Sequence, residues 1–181
     1  MENQPTPRQQ MAEGKDFYQK KQYDWAADSF KAAQLRFQAD GDAPGAAEAA
    51  NNLAVCLLQL DRAQQALEAV QDTPAVFQAS GNTLLEGQAY GNLGMALEAV
   101  NRPEDALHAY QQSADCLLKV GERDSRSYVL SRISALQIRT GKQVQALQSM
   151  ESALENRSDL KPREKFLKSL LEKAGRLLRG G

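Results

Sequence analysis

Apolar side chains along this chain fall at helical spacing, and the whole pattern returns every 40 residues. Gly14, Ala54, Gly94 and Ser134 are all small; Ala26, Ala66, Ala106 and Ala146 are identical; Asn52, Asn92 and Arg132 form a polar series; Gly41, Gly81 and Gly121 close the first three units. A fixed period in this range signals a stacked solenoid, because one such unit cannot bury its apolar face alone. Helical spacing predicts a first pair over 7–20 and 22–39, with Phe17 anchoring one helix and Trp25, Phe30, Leu35 and Phe37 making apolar contacts on the other. The second pair spans 46–60 and 62–80, with Leu53, Leu57, Leu60, Leu67 and Val70 inward. A third covers 83–100 and 103–120, and a fourth 124–140 and 143–156. No segment alternates strictly enough to be a half-buried strand.

Turn chemistry separates these elements. Gly41-Asp42-Ala43-Pro44 suits a helix stop followed by a new first turn, Asn101 reads as a cap with Pro103 just inside the next helix, and Gly141 falls in a turn. Pro74 interrupts the second pair: it removes an amide donor at a cost of roughly 3 kcal/mol in a helix interior, so a break is expected near Asp72-Thr73, with either residue capping the restart. The recurring alanine sits near the start of each second helix, where two antiparallel helices approach closely only if a side chain is small. Gly14, Ala54, Gly94 and Ser134 are expected opposite it. Phe17, Leu57 and Leu97 from the first helices fill the space around, together with Phe30, Val70, Tyr110 and Met150 from the second.

The chain thus divides into a frayed start (1–6), four units (about 7–41, 43–81, 83–121 and 123–157), a last helix (159–178) and a short tail (179–181). That last stretch departs from the repeat, yet Phe166, Leu167, Leu170, Leu171, Ala174, Leu177 and Leu178 share one helical face. It reads as a cap over the end of the array. From Lys161 onward seven Lys or Arg stand against two Glu, which also suits an anionic surface or an acidic partner.

A length of 181 residues fits one domain, and a formal net charge of -1 gives no global pull toward nucleic acid or membrane. No apolar run is long enough for membrane insertion, and the polar start lacks a signal peptide's apolar segment, so a cytoplasmic protein is expected. Cys56 and Cys116 are 60 residues apart and read as buried free thiols. Catalysis finds little support. His108 stands alone on a helix, and no Gly-rich phosphate loop, HExxH motif or nucleophile elbow occurs, so no catalytic residue, cofactor or metal is assigned. Glu98, Glu104 and Asp105 read as charges on helix surfaces or first turns.

The small residue, alanine and aromatic at these spacings resemble the tetratricopeptide repeat. Ala89-Tyr90-Gly91-Asn92-Leu93-Gly94 within a 40-residue period is similar to the longer subclass found in kinesin light chains and the Leu-Gly-Asn-rich modulators of G-protein signalling. The resemblance covers about 7–156, strongest in the third unit and degenerate in the outer two, where Glu13 and Gln137 replace leucines of the inner units. It implies an all-α, right-handed superhelical solenoid of four antiparallel helix pairs plus the capping helix. The concave side would be lined by the first helix of each pair.

Residues at i, i+4, i+7 and i+11 share a face. The resulting stripes are Arg8/Ala12/Lys15/Gln19, Glu48/Asn52/Val55/Gln59, Gln88/Asn92/Met95/Ala99 and Tyr128/Arg132/Ala135/Arg139, all too polar for a core. In related repeats, asparagines matching Asn52 and Asn92 hydrogen-bond a peptide backbone, for which a carboxamide offers both donor and acceptor. Alternatively, the pair satisfies groups between neighbouring helices. In the peptide-binding reading, Tyr18, Val55, Leu58, Met95 and Ile138 would receive apolar side chains of the bound segment, and Lys15, Arg132 and Arg139 acidic ones. The two-carboxylate clamp of some family members fits less well, since Gln88 and Asn92 stand where cations are needed. The expected role is a non-enzymatic scaffold binding a protein or extended peptide; self-assembly into a homodimer through the groove or the last helix is the alternative.

Overall fold

The computed structural model describes residues 5–157 and 159–179, and the side chains of all of these except 174 and 176–179. Residues 1–4 of the expected frayed start, and the inward placement expected of Ala174, Leu177 and Leu178, lie outside what is described. Ten helices and no strand occur among the described residues: α1 (Pro7–Gln19), α2 (Tyr23–Ala39), α3 (Ala43–Gln59), α4 (Ala63–Val70), α5 (Thr73–Ala79), α6 (Thr83–Ala99), α7 (Pro103–Lys119), α8 (Arg123–Arg139), α9 (Gln143–Asn156) and α10 (Pro162–Arg179). They form a solenoid of helix pairs: α1/α2, α3/α4-α5, α6/α7 and α8/α9, followed by α10.

The turns explain the regularity. Lys21, Asp61, Asn101 and Gly141 hold positive φ within each pair, and Gly41, Gly81 and Gly121 do so between pairs, each series stepping by one period. At every one of these turns the following amide reaches back five residues, as from Gln22 to the Phe17 carbonyl at 2.9 Å and from Lys142 to Gln137 at 2.8 Å. This is the Schellman ending, which satisfies orphan carbonyls through one left-handed residue. Asn101 is therefore that left-handed residue and not a cap; Arg102 holds the cap position without a side-chain bond. Thr6, expected to fray, instead closes a capping box with Gln9.

The break at Pro74 falls between Val70 and Thr73, and Pro74 occupies the first turn of α5, where its missing amide costs nothing. Neither expected cap operates there. Asp72 makes no side-chain cap bond, and buried Thr73 donates to Asn51 Oδ1 at 2.9 Å and shares its hydroxyl with the Val70 carbonyl, tying the restart to α3.

One core runs through the array from Met11 to Ala153, and Ala47, Phe77 and Ala89 form a satellite beneath α5. The four alanines of the crossing are buried, as are Gly14, Ala54, Gly94 and Ser134 opposite. Side-chain sizes match across it. A Cβ on Gly14 would meet the Phe30 ring at 2.8 Å and one on Gly94 the Tyr110 ring at 2.6 Å; Ser134 Oγ donates to the Ala146 carbonyl at 2.8 Å. Two expected contacts fail: Trp25 is 62% exposed, lying on Phe17 with ring centroids 6.2 Å apart, and Leu35 is also exposed, because both project from the outer side of α2. Cys56 and Cys116 are buried free thiols. Burial pushes the Cys56 thiol up to about 11.

Candidate functional site

The first helices α1, α3, α6 and α8 follow one another along the array, and side-chain bonds join α1 to α3 and α6 to α8. Lys15 of α1 reaches Glu48 of α3 at 3.3 Å. Between α6 and α8, Tyr128 donates its hydroxyl to the Met95 sulfur at 3.8 Å, and Arg132 and Arg139 both bind the Glu98 carboxylate at 2.7 Å. A recess of about 510 Å³ takes its lining from three of these helices, including Arg8, Ala12, Lys15, Glu48 and Leu85.

The ten candidate residues fall into two groups with a bridge between them. Lys15, Tyr18, Asn52 and Val55 share a recess of about 220 Å³ with Gln19 and Phe30. Tyr18 is half-buried against the Tyr23 ring, with centroids 5.4 Å apart. Its hydroxyl titrates above the usual phenol range, through burial first and then the neighbouring Tyr23, Cys56 and Tyr128. Met95, Tyr128, Arg132 and Arg139 form the second group, and Tyr128 also borders a recess of about 400 Å³ with Asp124, Ser127, Ser131, Arg157 and Asp159. Gln88, exposed, and Asn92, half-buried, line neither of these two recesses.

The two asparagines differ from the third asparagine beside them. Asn51 is buried and engaged by Thr73, whereas Asn52 and Asn92 are half-exposed and no bond to their carboxamides occurs among the described residues. The cations behave otherwise than expected, because Lys15, Arg132 and Arg139 each have a carboxylate of the protein's own. Glu98 is the residue sequence reasoning missed. It is not a surface charge: its side chain is 13% exposed, clasped by two guanidinium groups and by the Tyr110 hydroxyl at 3.1 Å. The signal was available, since Glu98 stands in the 40-residue register of Leu58 and Ile138. Burial raises the Tyr110 phenol well above its ordinary value.

His108 is an exposed side chain of α7. No group of three or more His, Cys, Asp or Glu side chains able to share a metal occurs among the described residues, and no helix there is long and apolar enough to cross a membrane.

Residues 47–119 match the family model of the tetratricopeptide repeat, a span that runs from α3 through α7. No curated protein matches the chain. Among solved structures, aspartyl phosphate phosphatase F from Bacillus subtilis is similar with a TM-score of 0.75 and 16% identity, over 96% of this chain and 48% of that one. BtubC from P. vanneervenii follows at 0.73 and 15%, over 93% and 72%. A Podosopora anserina putative kinesin light chain with nearly identical TPR-like repeats gives 0.73 and 16%, over 99% and 92%. The chain therefore spans about half the length of the phosphatase it resembles, and at these identities what is shared is the fold, a tetratricopeptide-like helical solenoid.

Proposed function

We propose that the face formed by α1, α3, α6 and α8 holds an extended segment of a partner protein, in a non-catalytic, scaffolding role. The observation that carries this reading is the pair of unengaged carboxamides at Asn52 and Asn92, at matching positions on neighbouring first helices. Packed helices lie about 10 Å apart, which is roughly three residues of extended chain. Two carboxamides so spaced suit main-chain groups on one face of a bound strand.

Specificity would come from the flanking groups. Tyr18 and Val55 at one end, and Met95 and Tyr128 at the other, offer apolar contact. Lys15, Arg132 and Arg139 are already neutralised, so a ligand carboxylate gains less from them than a free cation would give. The same neutralisation counts further against the two-carboxylate clamp. Within this reading, 7–158 acts as four units, the segment 89–94 aligns the repeats with the 40-residue subclass, and the two buried free thiols suit a reducing compartment such as the cytoplasm.

The test is a peptide-display selection run in parallel on the parent and on Asn52→Ala/Asn92→Ala. Ligands recovered by the parent and lost by the double variant support the assignment. Identical ligand sets for the two proteins remove the groove from the account.

A further inference from the structure

The C-terminal end of the array carries an apolar face that nothing in the described chain covers. α10 meets α9 through Leu171, which is buried, and its Glu164 is bound by Arg157 and by the Lys161 amide. At 100° per residue, Phe166, Leu167 and Leu170 lie on a different arc of the helix from Glu164 and Glu172. They are 67%, 38% and 46% exposed. One period earlier the corresponding positions on α8 are Arg126, Ser127 and Leu130, and α9 closes that face. Ser127 Oγ donates to the Ala153 carbonyl and Arg126 to Asn156 Oδ1, both at 2.7 Å, and Leu130 is buried. α9 shows the same incompleteness: Leu147 is exposed, whereas its counterparts Ala27 and Leu67 are buried and Leu107 is half-buried.

Charge narrows what fits there. The exposed polar residues bordering Phe166, Leu167 and Leu170 include Arg163 and Lys173, while both glutamates of α10 are half-buried on the other arc. We propose that this face docks an amphipathic helix of a partner protein, apolar on one side and acidic along its edges, which takes the place of a second helix to α10. Two of the chain's own second helices have that character, whereas residues 23–39 balance Asp24 and Asp28 with Lys31 and Arg36. Residues 63–79 carry Glu68 and Asp72 with no Lys or Arg, and residues 143–156 carry Glu151 and Glu155 with none. A second copy's α10 would set cation against cation. An anionic bilayer would answer the charge, but a helix is what closes the equivalent face in each preceding unit.

The test uses the full chain and two acetylated, amidated model helices of about 18 residues, long enough to populate helix. Both carry Leu and Ala at i, i+3, i+4 and i+7; one is flanked by Glu and its twin by Lys. Fluorescence anisotropy is expected to show saturable binding of the Glu helix only. Leu170→Asp and Arg163→Glu/Lys173→Glu should each weaken it at least tenfold, with unchanged circular dichroism, and Asn52→Ala/Asn92→Ala should leave it unaffected, which separates this surface from the groove. Binding of neither helix, of both equally, or of the Glu helix to Leu170→Asp as tightly as to the parent overturns the proposal. So does Leu170-dependent capture by phosphatidylserine vesicles without helix binding, which assigns the face to a membrane. A Leu170-dependent dimer in light scattering overturns it in favour of a second copy.

Discussion

Replacing Gly94 by alanine puts a methyl group where the Tyr110 ring already lies. The added Cβ would stand 2.6 Å from two ring carbons, about 1 Å inside ordinary van der Waals contact. Tyr110 is fully buried and its hydroxyl is held by Glu98, so the ring cannot swing aside. Overpacking of this kind costs about 1–3 kcal/mol, against about 1 kcal/mol gained by alanine over glycine in a helix interior. Because the ring cannot yield, the cost lies at the upper end, about 2–3 kcal/mol, so the net loss is about 1–2 kcal/mol, or a fall in Tm of roughly 2–8 °C for a chain of this size. Thermal and urea denaturation followed by circular dichroism would measure it. Tyr110→Val separates sterics from propensity. It reproduces the pairing of small residue and valine that the sequence places at Ala54 and Val70, so its cost should be about 1 kcal/mol smaller in the Gly94→Ala background than alone. A Gly94→Ala variant as stable as the parent, or strict additivity of the two substitutions, would refute the proposed fit between small residue and aromatic ring.

Three further outcomes follow from the geometry. Glu98→Ala strands two guanidinium groups and the Tyr110 hydroxyl, and should cost about 1–2 kcal/mol by urea denaturation, discounted because both arginines are partly exposed; high salt should narrow the difference. Lys21→Gly relieves a left-handed lysine at φ 59° and should raise stability by up to about 1 kcal/mol in the same assay, whereas Gly141→Lys should lower it. Stability should also fall at alkaline pH. Cys56 and Tyr110 both titrate above their ordinary values when folded, so the stabilisation is complete below about pH 9, the free-thiol value, and is lost as pH rises toward about 11 for Cys56 and beyond for Tyr110. Urea midpoints in Cys56→Ala and Tyr110→Phe should each show a shallower decline.

What could be read from sequence was what repeats. The period, the helix pairs, the buried alanines and the break at Pro74 each follow from spacing or from backbone sterics, and they determine which helices come first in each pair. Residues whose surroundings are set by a neighbouring unit were less legible. Trp25 looks like core on hydrophobicity alone, yet it faces outward from α2. Arg132 and Arg139 look like free cations until α6 brings Glu98 beneath them, 34 and 41 residues away in sequence. Asn101 resembles a cap by composition and turns out to be the left-handed residue, because asparagine serves both positions. The outer units lack the leucines that Glu13 and Gln137 replace, and the matching family span of 47–119 is centred on the inner two. Gln137 is instead used as a polar partner, accepting from the Ser149 hydroxyl at 2.8 Å.

The claim that the four first helices form a ligand-binding face is tested most directly by backbone amide NMR during titration with a display-selected peptide. The account predicts shifts concentrated in α1, α3, α6 and α8, with Asn52 and Asn92 side-chain amides among the largest. Perturbations confined to the outward sides of α2, α4, α7 and α9, with those two amides unmoved, would contradict it.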